Sequence, residues 1–386
     1  MAKKQKEVSS GSPSVSNDEI YEHLFDSLNS LYKDKKMAFN LANETAPTDV
    51  VDFIDTGCTE LNLAISNKVD GGVPVGKIIE IIGWEGSGKS LLAMHILANT
   101  QKKGGIAILF DTESAFNRNF AEAIGMDVTK LIYSQPDTLE EAYEAIEHVL
   151  TKLKQHRNND KIVTIVLDSL AGASTKTEIE GNYDKEGWAT QKAIINSKAM
   201  RKITNIIAKE KACLILTNQL RDKLGGMGFG EQTTTSGGKA VGFHSTVRIR
   251  MKSVGKIKDK DDVIQGIQTQ AVVFKNRIAP PWREAKFSIH YESGIDNFSS
   301  LFDVGVKLKY ITSGAWNTLF NPETGEEVTK FRRTDFENVL KDNPAIKDMI
   351  IKSMQSMLSF HYKDSDDKEL LVQLANENDE SDIIPD

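Results

Sequence analysis

Eight consecutive residues, Gly83, Trp84, Glu85, Gly86, Ser87, Gly88, Lys89 and Ser90, carry the most specific chemistry in the chain. They follow the apolar run 78–82 and open a helix-patterned stretch over 91–97, so the expected local structure is strand, tight loop, helix. Glycines permit turns in which backbone N–H groups point inward at phosphate oxygens, and the helix N-terminus adds its positive dipole end. Lys89 is placed to reach β- and γ-phosphates, and the Ser90 hydroxyl to ligate Mg²⁺. ATP with Mg²⁺ is the expected cofactor, held by residues 83–90.

Three more polar groups stand at the ends of apolar runs. Asp168 follows the run 162–167, where a carboxylate would hold the Mg²⁺ shell through water. Glu113 comes just after the run 106–110 and could orient, or take a proton from, a water attacking the γ-phosphate. Gln219 follows the run 213–217, where its amide could sense the γ-phosphate; an Asn-Gln pair at a strand end also serves as a turn feature.

Short runs that are apolar throughout, separated by segments long enough for crossover helices, are what strands buried on both faces of a parallel sheet require. The segments 247–251, 268–274 and 286–291 alternate more and read as an extension of that sheet. Residues 1–17 are polar and read as disordered. Residues 18–46 form a helical arm, with Ile20, Leu24, Leu28 and Leu31 at helical spacing in its first part, and the arm buries that face on its own core or on a neighbouring subunit. An ATPase core spans 47–293, a smaller mixed α/β lobe 294–363, and an acidic tail 364–386.

The 386-residue chain is long enough for two or three domains. Its net charge of −7 belongs to the tail, which holds nine acids and one lysine; with that −8 set aside, residues 1–363 sit near +1. Such a body leaves room for local basic patches. Arg248, Arg250, Lys252, Lys256, Lys258 and Lys260 make one candidate, or simply a solvated face, with Lys275, Arg277, Arg283 and Lys286 close behind. Two cysteines far apart, Cys58 and Cys213, argue against a disulfide framework. No apolar run approaches the length of a membrane span and no signal peptide is evident, so a cytoplasmic protein with no membrane partner is expected.

The joint order of phosphate loop, Glu113, Asp168 and Gln219 resembles the RecA family. The resemblance extends through 134–137, 178–181, 199–202, Thr234-Thr235-Ser236-Gly237-Gly238, 273–280, 294–295 and 313–316, and so covers about residues 47–320. It implies an α/β fold: a RecA-like P-loop ATPase core with a mostly parallel central sheet, an N-terminal helical arm and a small mixed C-terminal lobe. The implied activity is that of a DNA-dependent ATPase and recombinase, which forms helical filaments on single-stranded DNA and promotes pairing and strand exchange with homologous duplex DNA. Single-strand-binding and loading proteins are further implied partners. Its divergence from the bacterial pattern fits a phage-encoded member.

By the same resemblance Lys89, Glu113, Gln219, Lys275 and Arg277 are catalytic, the last two reaching across a subunit interface to the neighbour's ATP. Asp168, Asn117 and Phe120 join residues 83–90 around the nucleotide, although Asn117 and Phe120 stand where the bacterial pattern has an acid and a tyrosine. A DNA-binding loop runs from Arg221 to about Gly237, with Phe229 near its middle and Thr234, Gly237 and Gly238 toward its end. A first DNA loop falls near 180–189, with one residue inserted, and Trp188 there stacks on bases or packs against protein. Phe243 matches an interface aromatic, with a core role as the competitor. A hexameric helicase or translocase of the same fold, and a regulatory DNA filament without strand exchange, are the alternatives.

Overall fold

The computed structural model describes residues 16–32, 36–46, 49–68, 70–155, 161–181, 188–222 and 233–358. The expected disordered start, the acidic tail and Phe229 lie outside the described residues, apart from Ser16 and Asn17. The chain divides into two compact units, residues 1–49 and 50–386.

In the first unit, helix α1 (Asn17–Ser30) begins with a capping box: the Ser16 hydroxyl accepts the Glu19 N–H, and the Glu19 carboxylate accepts the Ser16 N–H. The helical arm expected over 18–46 is therefore helical only over Asn17–Ser30 among the described residues. The Asn29 side chain turns the chain back by accepting the N–H groups of Met37 and Ala38, both at 2.9 Å. Ile20, Leu24 and Leu28 line one face of α1 and are about half exposed.

The second unit opens with a two-stranded pair, β1 (Phe53–Ile54) and β2 (Val73–Pro74), around α2 (Thr59–Ser66). Strand β3 (Ile78–Gly83) and helix α3 (Lys89–Lys102) follow, then β4 (Ile106–Asp111), α4 (Arg118–Ala123), β5 (Leu131–Ser134), α5 (Leu139–Gln155) and β6 (Val163–Asp168). Next come α6 (Lys176–Glu180), α7 (Trp188–Lys209), β7 (Ala212–Asp222), β8 (Thr233–Thr235), α8 (Lys239–His244), β9 (Val247–Lys258), β10 (Ile264–Asn276), β11 (Arg283–His290) and β12 (Gly294–Asp296). In space the large sheet runs β12, β11, β10, β9, β3, β7, β6, β4, β5, with β8 attached to β7. Neighbours from β9 through β5 are parallel, and those from β9 to β12 antiparallel.

The strand sequences explain this arrangement. Every residue of β3 is buried, and alternate side chains enter opposite cores. Ile79 and Ile81 pack with Leu92, Ile96 and Leu97 of α3, whereas Ile78 joins Ile146 and Leu150 of α5 and Met200 and Ile203 of α7. In α5 the buried residues Leu139, Tyr143, Ile146 and Leu150 fall on one helical stripe. The parallel part of the sheet is thus covered on both faces, and the carboxyl ends of its strands stay open for chemistry.

Beyond β12 the chain forms α9 (Asn297–Lys307), a three-stranded antiparallel sheet of β13 (Ile311–Thr312), β14 (Asn317–Phe320) and β15 (Glu327–Phe331), then α10 (Phe336–Asp342) and α11 (Pro344–Leu358). Phe302, Phe331 and Phe336 centre this lobe's core, with Phe302 edge-on to Phe336 at 5.3 Å. Leu63 of α2 joins the same cluster. No helix among the described residues is long and apolar enough to cross a membrane.

The basic run of β9 splits in two. Arg248 and Arg250 lie over the Phe274 ring at 4.7 and 4.8 Å, and Arg248 pairs with buried Glu80, so they belong to the interior of this sheet region. Lys252, Lys256 and Lys258 are exposed.

His95 ties α3 to β12. Its Nε2 accepts the Ile295 N–H at 2.9 Å, and burial, aided by Lys102, pushes its pKa down to about 4. The ring therefore stays neutral in the folded chain while the unfolded chain takes up a proton below about 6.5. Its contribution is intact above that pH and declines on acidification, by up to about 3 kcal/mol near pH 4. In urea titrations from pH 7 to pH 4, His95→Gln, whose amide oxygen can still accept from Ile295, should lose less stability than the parent; identical slopes would contradict this account.

Candidate functional site

Parallel pairing sets the ends of the central strands side by side. Gly83 on β3 is opposite Gln219 on β7, Asp111 on β4 is opposite Asp168 on β6, and Leu216 opposite Leu167 brings Thr217 beside Asp168. Ligands of doubly wound sheets bind at this edge. A cavity of about 210 Å³ opens there. Glu85, Gly86, Gly88, Lys89 and Ser90 line it from the loop, Glu113 from the turn after β4, Asp168 from the end of β6, and Gln219 from within β7, which runs on three residues past the strand end expected there.

The loop conformation depends on two glycines. Gly86 has φ +69° with open space where a Cβ would stand, and Gly88, which precedes α3, has φ +90° with a Cβ position only 2.8 Å from Ile289 Cδ1. Left-handed backbone at these positions is what allows such a loop to present N–H groups to a phosphate, and the Ser87 N–H closes the loop on the Trp84 carbonyl at 3.3 Å. Lys89 is almost completely buried and donates to the Trp84 carbonyl at 2.9 Å. Burial lowers its pKa, while Asp168, Glu113 and Glu85 act in the opposite direction. Trp84 itself is 44 % exposed.

Asp168 accepts hydrogen bonds from the side chains of Thr217 and Ser90. Burial raises its pKa, with Glu113 and Asp111 adding to the rise. Buried Asp111, half-buried Asp168 and exposed Glu113 bring three carboxyl groups to this edge, so a cation placed there would relieve their mutual repulsion. Ser90 and Asp168 are the pair that could hold Mg²⁺, with phosphate oxygens and water completing its shell. Among the described residues, no three His, Cys, Asp or Glu side chains gather into a metal cluster of their own.

Glu113 is held by residues that sequence reasoning missed. Asp111 accepts the N–H groups of Glu113 at 3.0 Å and Phe116 at 3.1 Å, which fixes the turn after β4. The Ser169 hydroxyl donates to the Glu113 carboxylate and itself accepts the Gly172 N–H at 3.1 Å. A Cβ on Gly172 would come within 2.7 Å of Glu113 Cγ, so the glycine leaves room for that side chain. An Asp at a strand end and a Ser after Asp168 were the available signals.

Ile267 and Tyr291 complete the cavity wall from β10 and the end of β11. Tyr291 is 46 % exposed and offers an aromatic face beside the loop. Asn117 and Phe120 lie elsewhere: Asn117 caps α4 by accepting the Phe120 N–H at 3.0 Å, and Phe120 is buried, edge-on to His95. Neither lines the cavity.

Past Gln219, β7 continues through Arg221, an exposed residue opposite Thr234 of β8. Gly237 and Gly238 pack against α7; a Cβ on Gly237 would come within 2.1 Å of Asn196 Nδ2, and one on Gly238 within 2.7 Å of Ala193 Cβ. Close packing and positive φ, +83° and +81°, both call for glycine here. Trp188 is the first residue of α7; its side chain, and most of the first DNA loop, lie outside the described residues.

Phe243, Lys275 and Arg277 converge at the end of α8, outside the cavity. Lys275 donates to the Gly242 carbonyl at 2.6 Å and to that of Phe243 at 3.0 Å, and Arg277 donates to the Phe243 carbonyl at 3.1 Å. The Phe243 ring is 66 % exposed. Burial, then the charges of Arg277 and Arg248, push the Lys275 pKa down to about 8.

This geometry separates two kinds of loss. Lys89→Ala should weaken binding of a fluorescent nucleoside triphosphate at least about tenfold, whereas Glu113→Gln should bind it normally and turn it over about 100-fold more slowly. Equal affinity of Lys89→Ala and the parent, or unchanged turnover in Glu113→Gln, would contradict these assignments.

A family model for the RecA N-terminal domain matches residues 27–296. The chain is 40 % identical over 301 residues to Protein RecA of Cytophaga hutchinsonii, an alignment that covers 78 % of this chain and 80 % of the relative. It is 39 % identical over 309 residues to Protein RecA of Helicobacter hepaticus, covering 80 % and 85 %, and 37 % identical over 333 residues to Protein RecA of Campylobacter lari, covering 86 % and 90 %. The phosphate loop, the aligned strand-end acids and these relatives lead to one assignment: the chain belongs to the RecA family and is a DNA-dependent ATPase and recombinase of DNA recombination and repair.

Proposed function

We propose that this chain polymerises as a helical filament on single-stranded DNA, with ATP and Mg²⁺ held between adjacent protomers, and that the filament pairs its strand with homologous duplex DNA. One observation carries the reading. Lys89, Ser90, Glu113, Asp168 and Gln219 share a cavity, while Lys275 and Arg277 project from a separate surface beside exposed Phe243. The two half-sites on one protomer suit a head-to-tail contact in which each protomer completes its neighbour's site.

In this mechanism the loop N–H groups and Lys89 hold the β- and γ-phosphates, and Tyr291 lies against the base. Ser90 and Asp168 hold Mg²⁺, which supplies charge neutralisation at the phosphates when bound. Glu113, oriented by Ser169 and Asp111, positions the attacking water and takes its proton. Gln219 donates to the γ-phosphate and communicates its presence along β7. Lys275 and Arg277 of the adjacent protomer stabilise negative charge in the transition state, so turnover depends on how protomers are packed.

Helix α1, with its exposed Ile20, Leu24 and Leu28, supplies an arm for a second copy. Arg221, Phe229, Thr234, Gly237, Gly238 and Trp188 belong to the DNA-contacting segments, which hold the backbone while base pairing reads homology. The filament acts in the cytoplasm, with single-strand-binding and loading proteins as auxiliary partners.

Electron microscopy of the protein on single-stranded DNA at moderate salt, with a slowly hydrolysed ATP analogue and without nucleotide, tests this reading. Nucleotide-dependent open filaments that stretch the DNA are expected. Closed rings would favour a helicase or translocase instead.

A further inference from the structure

Glu80 is a carboxylate in the middle of β3, 0 % exposed and flanked by isoleucines on both sides in sequence. It accepts hydrogen bonds from two neighbouring strands: from Arg248 Nε on β9 at 2.6 Å and from Asn218 Nδ2 on β7 at 3.0 Å. A buried ion pair gives little net stability compared with apolar residues of similar volume, so stability alone does not account for a charge here.

The partners of Glu80 lead in two directions. Asn218 directly precedes Gln219; its Oδ1 accepts the Gln219 N–H at 3.0 Å, and its Nδ2 also donates to the Ser236 carbonyl beyond β8 at 3.0 Å. The next carbonyl, that of Gly237, is held by Asn196 Nδ2 at 2.9 Å. On the other side, the Arg248 guanidinium reaches under α8, where a Cβ on Gly242 would lie 2.9 Å from Arg248 Cζ. The Gly242 and Phe243 carbonyls above it are the ones that hold Lys275 and Arg277. Contacts therefore run without a break from Gln219 through Asn218, Glu80 and Arg248 to the platform of the two cations.

We propose that Glu80 and Arg248 are positioning residues that couple Gln219 on β7 to the Lys275 and Arg277 platform. The inference rests on the reading that Gln219 senses the γ-phosphate and that the two cations serve a neighbouring site. Its physical basis is the cost of an unmet hydrogen bond in a dry interior. A shift of Asn218 away from Glu80 leaves a buried carboxylate short of a donor, so Glu80, Arg248 and α8 follow it. Nucleotide state at one site thereby sets the cations offered to the next.

The test uses the full chain with both charges removed together, Glu80→Gln/Arg248→Met, so that neither is left unpaired. Arg248→Lys serves as a milder variant, which keeps the ion pair but not the guanidinium under Gly242. Measurements are thermal midpoint, affinity for a fluorescent ATP analogue, and kcat and KM for ATP with and without poly(dT). Both variants are expected to keep the parent's midpoint, analogue affinity and KM. The kcat stimulated by poly(dT) should fall roughly 5- to 30-fold in the double variant, and less in Arg248→Lys. Full stimulation in both overturns the proposal. Gln219→Ala separates the two levels: if it loses stimulation while the double variant keeps it, the coupling proposal alone fails. If Gln219→Ala keeps full stimulation, the γ-phosphate-sensing reading fails and this proposal with it.

Discussion

Parallel hydrogen bonding between strands buried on both faces is the constraint from which the rest follows. Because β3, β4, β6 and β7 must satisfy their backbone groups in one register, Gly83 faces Gln219 and Asp111 faces Asp168. The apolar patterning that drives each strand's burial is thus also what delivers a glycine, an amide and two carboxylates to a single edge. A slip of one residue in any strand would exchange its two faces and lose both cores. The loop after β3 exploits this fixed edge: its glycines turn N–H groups into a space whose opposite wall is already set by Asp168 and Glu113.

That edge brings charges together, some of them buried: Lys89 and Asp111 are shielded from water, Asp168 half so, and Glu113 is exposed. Asp168 is pushed toward its neutral form by burial and by Glu113 and Asp111, while the buried Lys89 is pushed toward its own neutral form. A phosphate beside Lys89 and a divalent cation beside Asp168 would each offset one of these shifts. Two further cations, Lys275 and Arg277, are held apart from that edge by the Gly242 and Phe243 carbonyls of α8. On the proposed reading, this division makes turnover depend on assembly.

Much of this was legible in the sequence because it depends on local order. The phosphate loop is a contiguous string, and Asp168 and Gln219 each terminate an apolar run that declares its strand. Residues brought in by tertiary approach were not. Tyr291 and Ile267 reach the cavity only because β10 and β11 extend the sheet beside β3, and no spacing announces that. Phe120 was expected at the nucleotide, but the Asn117 cap orients α4 so that the ring enters the core against His95. Arg248 looked like part of a basic surface, since the sequence does not reveal that its register partner on β3 is Glu80. A lone glutamate inside an otherwise apolar strand was the one signal that could have disclosed the pair. Gly237 and Gly238 fitted the expected loop, yet their packing against α7 is a reason for glycine that loop chemistry does not contain.

The central claim is that each ATP site is completed by the next protomer, and subunit mixing tests it most directly. Glu113→Gln lacks its own catalytic carboxylate but offers intact cations, whereas Lys275→Ala/Arg277→Ala has the reverse defect. On single-stranded DNA each variant alone should be nearly inactive, and an equal mixture should recover about one quarter of the parent's ATP turnover, the share of interfaces where two intact halves meet. No recovery from well-formed mixed filaments, or full turnover by Lys275→Ala/Arg277→Ala alone, would contradict the account.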